Sequence, residues 1–304
     1  MTRQTPLPLA LAGLLALAAP SLRGESLPCQ PCAGARLADP AAAADALAAI
    51  AKPAKLEPGS PLFVAWDVPL DGTADLELAG SIWAAGATPW LTLTFRTPAP
   101  LTGNLARLQG ELEAAAKVAA AAPPKSFFQV VWRPESAPAA ANPATPETPA
   151  AAETPAPFDP SQYGFLLKRA AVALTGASSE GKIATEPLPA DPGPLRALYA
   201  EEIAAYLEAV ALAPAPPDQL AAAVETLGQL DPGRPIVVDA LPAPAEPGGV
   251  LAEAARNAAR GVALTLFAAP TAEAAPLGPL ALLAREFAGD LSYDPTSSPA
   301  SPGG

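Results

Sequence analysis

The amino-acid sequence predicts an α/β chain folded as a (β/α)8 TIM barrel. Three observations carry this prediction. From residue 62 onward, short apolar runs bounded by Pro or Gly alternate with helical stretches, the order that builds parallel sheets. The runs are greasy on both faces, which requires burial on both sides, parallel pairing and right-handed crossovers. Eight such units fill the chain to residue 294, close to the usual barrel size of about 250 residues. An open doubly wound sheet is the alternative. It announces itself with a glycine-rich turn after its first strand, and Pro69-Leu70-Asp71-Gly72 is not one.

The elements follow in order. DPAAAADALAAIAK (39–52) reads as an alanine-rich helix with Asp39 as N-cap and Pro40 at its first position. LFVAWDV (62–68) is a buried strand, and 71–87 is a helix with Leu76, Ile82 and Trp83 in the core, ending at Gly86. WLTLTF (90–95) and SFFQVVW (126–132) are strands around a helix over 103–121. Helix 161–176 precedes strand KIATEPL (182–188), and helix 194–207 leads into EAVALAP (208–214). Helix 218–230, strand PIVVDAL (235–241), helix 250–261, strand VALTLF (262–267) and helix 277–289 continue the series, with DLSYD (290–294) as its last strand. One register question stays open. If Gly34 to Leu37 is a strand, it is the first, every later strand moves up by one, and 290–294 falls outside the barrel.

The flanks divide the chain further. Arg3, the apolar run 7–19 and Ala16-x-Ala18 read as an export signal over 1–19, too short to span a bilayer easily, with a retained anchor as the alternative. The mature chain is then secreted or periplasmic, with no membrane attachment. Residues 20–60 form a lead-in holding the helix and Cys29-Gln30-Pro31-Cys32, where export favours a Cys29–Cys32 disulfide. The barrel spans 61–294. Its interruption at 136–157 is an Ala- and Pro-rich tract with nothing large to bury, expected as a disordered loop at the C-terminal face. Residues 295–304 read as a disordered tail, a hint of a missing C-terminal domain.

Composition excludes several chemistries. Eighteen basic against 30 acidic residues, a net charge of −12, give no surface for nucleic acid and favour a neutral over a strongly acidic polysaccharide. The absence of histidine removes the Ser-His-Asp triad, His-ligated metals and imidazole bases. No cofactor motif and no metal site is expected. Proton transfer falls to Asp, Glu, Lys, Tyr or Cys.

Strand alternation points Asp67, Arg96, Arg133 and Asp239 toward the barrel mouth. Two acids and two arginines read either as a charge-balanced network, roughly neutral for stability, or as a polar floor whose groups hydrogen-bond sugar hydroxyls.

The segments FFQVVWRPE, YGFLLKRAAVALTGASSEGKIA (163–184), LYAEEIAAYLEAVALAP (198–214) and RPIVVDALP (234–242) resemble the clan-A glycoside hydrolases, retaining glycosidases on (β/α)8 barrels. The resemblance covers roughly 62 to 268. It implies one carboxyl that protonates the leaving oxygen and another that attacks the anomeric carbon, about 5 Å apart. Laid on the family's W-N-E-P-like strand end, Trp132 matches, Arg133 stands for the Asn and Pro134 for the catalytic Glu. On the family's nucleophile strand, Asp239 matches the Thr and Ala240 the Glu. Both catalytic positions thus lack a carboxylate. Glu135, Asp239 and Glu186 are the nearest substitutes, and Asp67, Arg96, Arg133 and Trp132 the candidate sugar-binding residues. The expectation is a non-catalytic carbohydrate-binding or scaffold barrel. A diverged retaining glycosidase using Glu135 and Asp239, or Glu186, and a cell-envelope interaction module remain as alternatives.

Overall fold

The computed structural model describes residues 32–40, 42–54, 56–58, 60–135, 158–271 and 275–288. The strands are β1 (Cys32–Asp39), β2 (Leu62–Val68), β3 (Thr88–Phe95), β4 (Phe127–Trp132), β5 (Lys182–Ala184), β6 (Val210–Leu212), β7 (Ile236–Pro242) and β8 (Leu264–Thr271). Each precedes a helix: α1 (Ala43–Ala54), α2 (Leu76–Ala84), α3 (Leu105–Ala121), α4 (Pro160–Ala177), α5 (Pro192–Tyr199), α6 (Pro217–Leu230), α7 (Pro247–Ala259) and α8 (Leu277–Ala288). All the strand pairs are parallel, and β1 lies between β2 and β8. The seam between β5 and β6 is joined by the bridges Ala184–Ala209 and Leu188–Leu212. The molecule is a nearly closed (β/α)8 barrel.

The open register question resolves in favour of the earlier start. CAGARLAD is β1, and the helix placed in the lead-in is α1, so the barrel begins at Cys32 rather than near residue 61. Its small residues and single arginine carry little strand propensity, but β1 gains hydrogen-bonded neighbours on both sides. Asp39 is the last residue of that strand, and α1 starts at Ala43. The helix expected over 71–87 shortens to α2 because Asp71 folds onto the backbone N–H and hydroxyl of Thr73, while Asp75 caps the helix start. The helix expected over 194–207 breaks after α5, where Glu202 adopts φ +57°. The signal segment, Cys29, the tract 136–157, DLSYD and the tail lie outside the described residues. Cys32, buried at the foot of β1, is disulfide-bonded.

Helix starts are fixed locally. Asp159 accepts the N–H groups of Ser161 and Gln162 at the head of α4, with Pro160 in the first turn. Such a cap contributes about 1 kcal/mol.

Burial separates into two cores. Trp66, Leu91, Phe95, Val130 and Tyr163 fill the layer between strands and helices, while Phe63, Trp90, Phe127, Val237 and Leu266 fill the barrel interior. Trp90 stacks on Phe127 with ring centroids 4.5 Å apart, and Phe63 meets both edge-on. Burying each such ring contributes roughly 1.5–3 kcal/mol. Gly34 passes so close to this layer that a Cβ there would lie 2.4 Å from the Phe63 carbonyl oxygen, so β1 admits no larger residue. The apolar floor ends at the level of Gln129 and Asp239. Above it the mouth cavity is lined largely by polar and charged side chains, with Val131, Pro187 and Ala240 among them.

Candidate functional site

The mouth is organised by Arg36, which rises from β1 into the barrel axis. Its Nε donates to Asp239 Oδ1 at 2.5 Å and its Nη2 to Asp239 Oδ2 at 2.7 Å. The same Nη2 donates to Gln129 Oε1, and Nη1 reaches Asp67 Oδ1 at 3.3 Å. Gln129 returns a bond from Nε2 to Asp239 Oδ2 at 2.8 Å, and the Thr92 hydroxyl donates to Gln129 Oε1 at 2.9 Å. Asp239 is fully buried, yet both its oxygens are matched by donors in bidentate geometry. The strand bends at once after it. Ala240 sits at φ +60°, and the β7–β8 register shifts between Val238 and Leu241, a bulge that terminates regular pairing at the mouth.

A second cluster sits where β4 and β5 end. Glu186 is 5% exposed, and its Oε2 accepts from Arg133 Nη1 at 2.7 Å and from the Trp132 N–H at 3.2 Å. Burial pushes the Glu186 carboxyl above its ordinary pKa, and the opposing pull of Arg133 and the Trp132 N–H is smaller. The buried Tyr163 hydroxyl accepts the Glu186 N–H at 2.6 Å and donates to the Val130 carbonyl at 2.8 Å. This fixes the chain at Glu186. Desolvation, helped by the charge on Glu186, raises Tyr163 well above the usual phenol range, which keeps it a neutral hydrogen-bonding strut.

The remaining predicted residues divide between the mouth and its surroundings. Asp67, Arg96, Arg133 and Asp239 all line one cavity of about 320 Å³. Asp67 and Arg96 also line a neighbouring cavity of about 630 Å³ beside α3. Glu135 faces that second cavity, where it pairs with Arg107 at 2.7 Å. Trp132 does not reach the mouth: alternation turns it outward into the layer below the helices, where its Nε1 donates to the Thr97 carbonyl at 2.9 Å. Arg36 and Gln129 are not among the residues that the sequence singles out. The alternation of Ala33, Ala35 and Leu37 against Gly34 and Arg36 is the signal that would have found the first.

Together these groups offer a ligand several N–H donors and one open carboxylate, Asp67, whose side chain is 78% exposed. No tryptophan lines the mouth cavity. Among the described residues no three His, Cys, Asp or Glu side chains are grouped to hold a metal, and no helix is long and apolar enough to cross a membrane.

With this geometry in view, comparison with solved structures becomes informative. A family 39 glycoside hydrolase from the gut symbiont Bacteroides cellulosilyticus WH2 superposes with a TM-score of 0.55 at 9% identity, over 88% of this chain and 65% of that one. The shared feature is the (β/α)8 barrel fold. A glucosidase from Croceicoccus marinus matches with a TM-score of 0.46 at 14% identity, over 73% of this chain and 55% of that one. The β-methylaspartase of Clostridium tetanomorphum matches with a TM-score of 0.48 at 12% identity, covering 86% and 58%. The chain therefore spans 55 to 65% of the length of the two glycosidases it matches. No protein-family model and no curated protein matches the sequence.

Proposed function

We propose that the chain is an exported glycoside-hydrolase-like barrel that binds carbohydrate at its mouth without cleaving it. One observation carries this reading. Asp239, the carboxylate nearest the position where the resemblance expects a nucleophile, is buried and held through both oxygens by Arg36 and Gln129. A carboxylate so held is buried and charge-paired, whereas a retaining hydrolase needs two free carboxyls about 5 Å apart across the scissile bond. Glu135, engaged by Arg107 beside α3, does not supply the second. What the mouth does present suits a polyhydroxylated ligand: Asp67 as acceptor and Arg96, Arg133 and Thr94 as donors around a cavity at the small end of the range for ligand sites.

A hydrolytic reading has one observation in its favour. Glu186, held above its ordinary pKa by burial at the end of a barrel strand, has the protonation property of a general acid. Glycan-array binding together with a panel of chromogenic glycosides separates the two readings. Retention of glycans with no turnover supports the binding role. Turnover that disappears in Glu186→Gln or Glu135→Gln overturns it.

A further inference from the structure

Arg96 and Arg133 stand side by side at the rim. Phe95 and Trp132 are partners in the β3–β4 register, and the Arg133 N–H continues the ladder to the Phe95 carbonyl at 2.9 Å, so the next residues on the two strands are these arginines. Adjacent strands lie about 4.8 Å apart. Two like charges on neighbouring strands repel and cost stability unless something of opposite sign lies between them. Arg133 has a counter-charge at one nitrogen only: Nη1 meets Glu186 and the Trp132 carbonyl, whereas Nε and Nη2 make no hydrogen bond among the described residues. The Arg96 side chain makes no hydrogen bond or ion pair among the described residues and acts only at a distance on Asp71. Both line the mouth cavity. The other arginine there, Arg36, is occupied by Asp239, Gln129 and Asp67.

Resting on the carbohydrate reading above, we propose that the mouth selects a sugar carrying a carboxylate, held in the fork between Arg96 and Arg133 with a ring hydroxyl on Asp67. Planar guanidinium groups match a carboxylate through paired N–H bonds, which a hydroxyl group cannot reproduce. Asp67 supplies the acceptor that a bare anion would have no use for. The chain's net charge of −12 points toward neutral ligands, but recognition follows the local arrangement of donors, not the sum over the surface.

Titration calorimetry of the full chain with glucuronate, glucose and inorganic sulfate tests this. Glucuronate is expected to bind at least about tenfold tighter than glucose, a 1.4 kcal/mol preference. Arg96→Gln should abolish the preference, and Arg196→Gln on the exposed face of α5 should leave it intact. Equal affinity for the two sugars overturns the carboxylate fork while the carbohydrate reading stands. Sulfate binding as tightly as glucuronate also overturns it, since a bare oxyanion would then be the whole ligand. Absence of binding by either sugar overturns both readings.

Discussion

Two carboxylates are buried at the mouth, and they are treated differently. Asp239 receives two nitrogens of Arg36 and the amide of Gln129, with both oxygens matched. Glu186 receives two donors on a single oxygen, one of them a backbone N–H at 3.2 Å. Charge can be buried in proportion to the donors that replace its water. Asp239 is therefore a structural strut that ties β7 to β1 and β4 across the barrel axis. Glu186, incompletely matched, keeps an affinity for its proton. The difference separates a fully matched carboxylate from a partly matched one at a rim where both groups look alike in sequence.

The sharpest way to break this comparison is Arg36→Met. It leaves Asp239 charged, buried and without its main partner, a change that costs about 3–5 kcal/mol. Urea unfolding should show the loss at pH 7. The double variant Arg36→Met, Asp239→Leu removes both charges and should recover most of it, because a buried pair replaced by apolar groups of similar volume is often close to neutral. A loss below about 1 kcal/mol for Arg36→Met would mean that Asp239 is stabilised by something other than this pair.

Much of this architecture is readable from the chain alone, and the failures have physical causes. The strands β2, β3, β4 and β7 are dense in Val, Leu, Phe and Trp, so apolar runs betray them and alternation correctly sends Asp67, Arg96, Arg133 and Asp239 to one cavity. β1 is hidden because Cys32, Gly34 and Arg36 form its inner face, and a strand whose interior positions are small or charged has no hydrophobic signature. The centre of the site came from that strand. Trp132 lies off the mouth cavity for a simpler reason: parity assigns it to the opposite face from Arg133, and its indole N–H is bonded to the Thr97 carbonyl. The burial of Glu186 depends on Tyr163 and Trp132, which approach it from elements 23 and 54 residues away in sequence, and no local pattern reports such contacts.

Glu186→Gln sharpens the other half of the comparison through pH. Burial raises the Glu186 pKa above its ordinary value of 4.5 in the folded state, so between that value and the folded one the native protein holds more protons than the unfolded chain. Stability from this group therefore falls as pH rises through that window and is fully retained below it. Glutamine keeps the shape without the ionisation. Measured against wild type in chemical denaturation, the variant should improve in relative stability from pH 4 to pH 7. A relative loss over the same range would show that Arg133 outweighs desolvation, and Glu186 would then be a strut like Asp239.

The smallest effect is expected at Glu135, the carboxylate that follows Pro134 at the end of β4. Its side chain is 47% exposed and its ion pair with Arg107, 42% exposed, lies in solvent, where such pairs contribute about 0–1 kcal/mol. Glu135→Gln should shift unfolding free energy by less than about 0.5 kcal/mol, and addition of salt should shrink even that difference. Its binding of sugars should match wild type, because its carboxylate is already paired with Arg107 beside α3. A large loss of stability in this variant would place Glu135 in the buried mouth network after all. Burial would then cease to be the property that distinguishes the carboxylates at this rim.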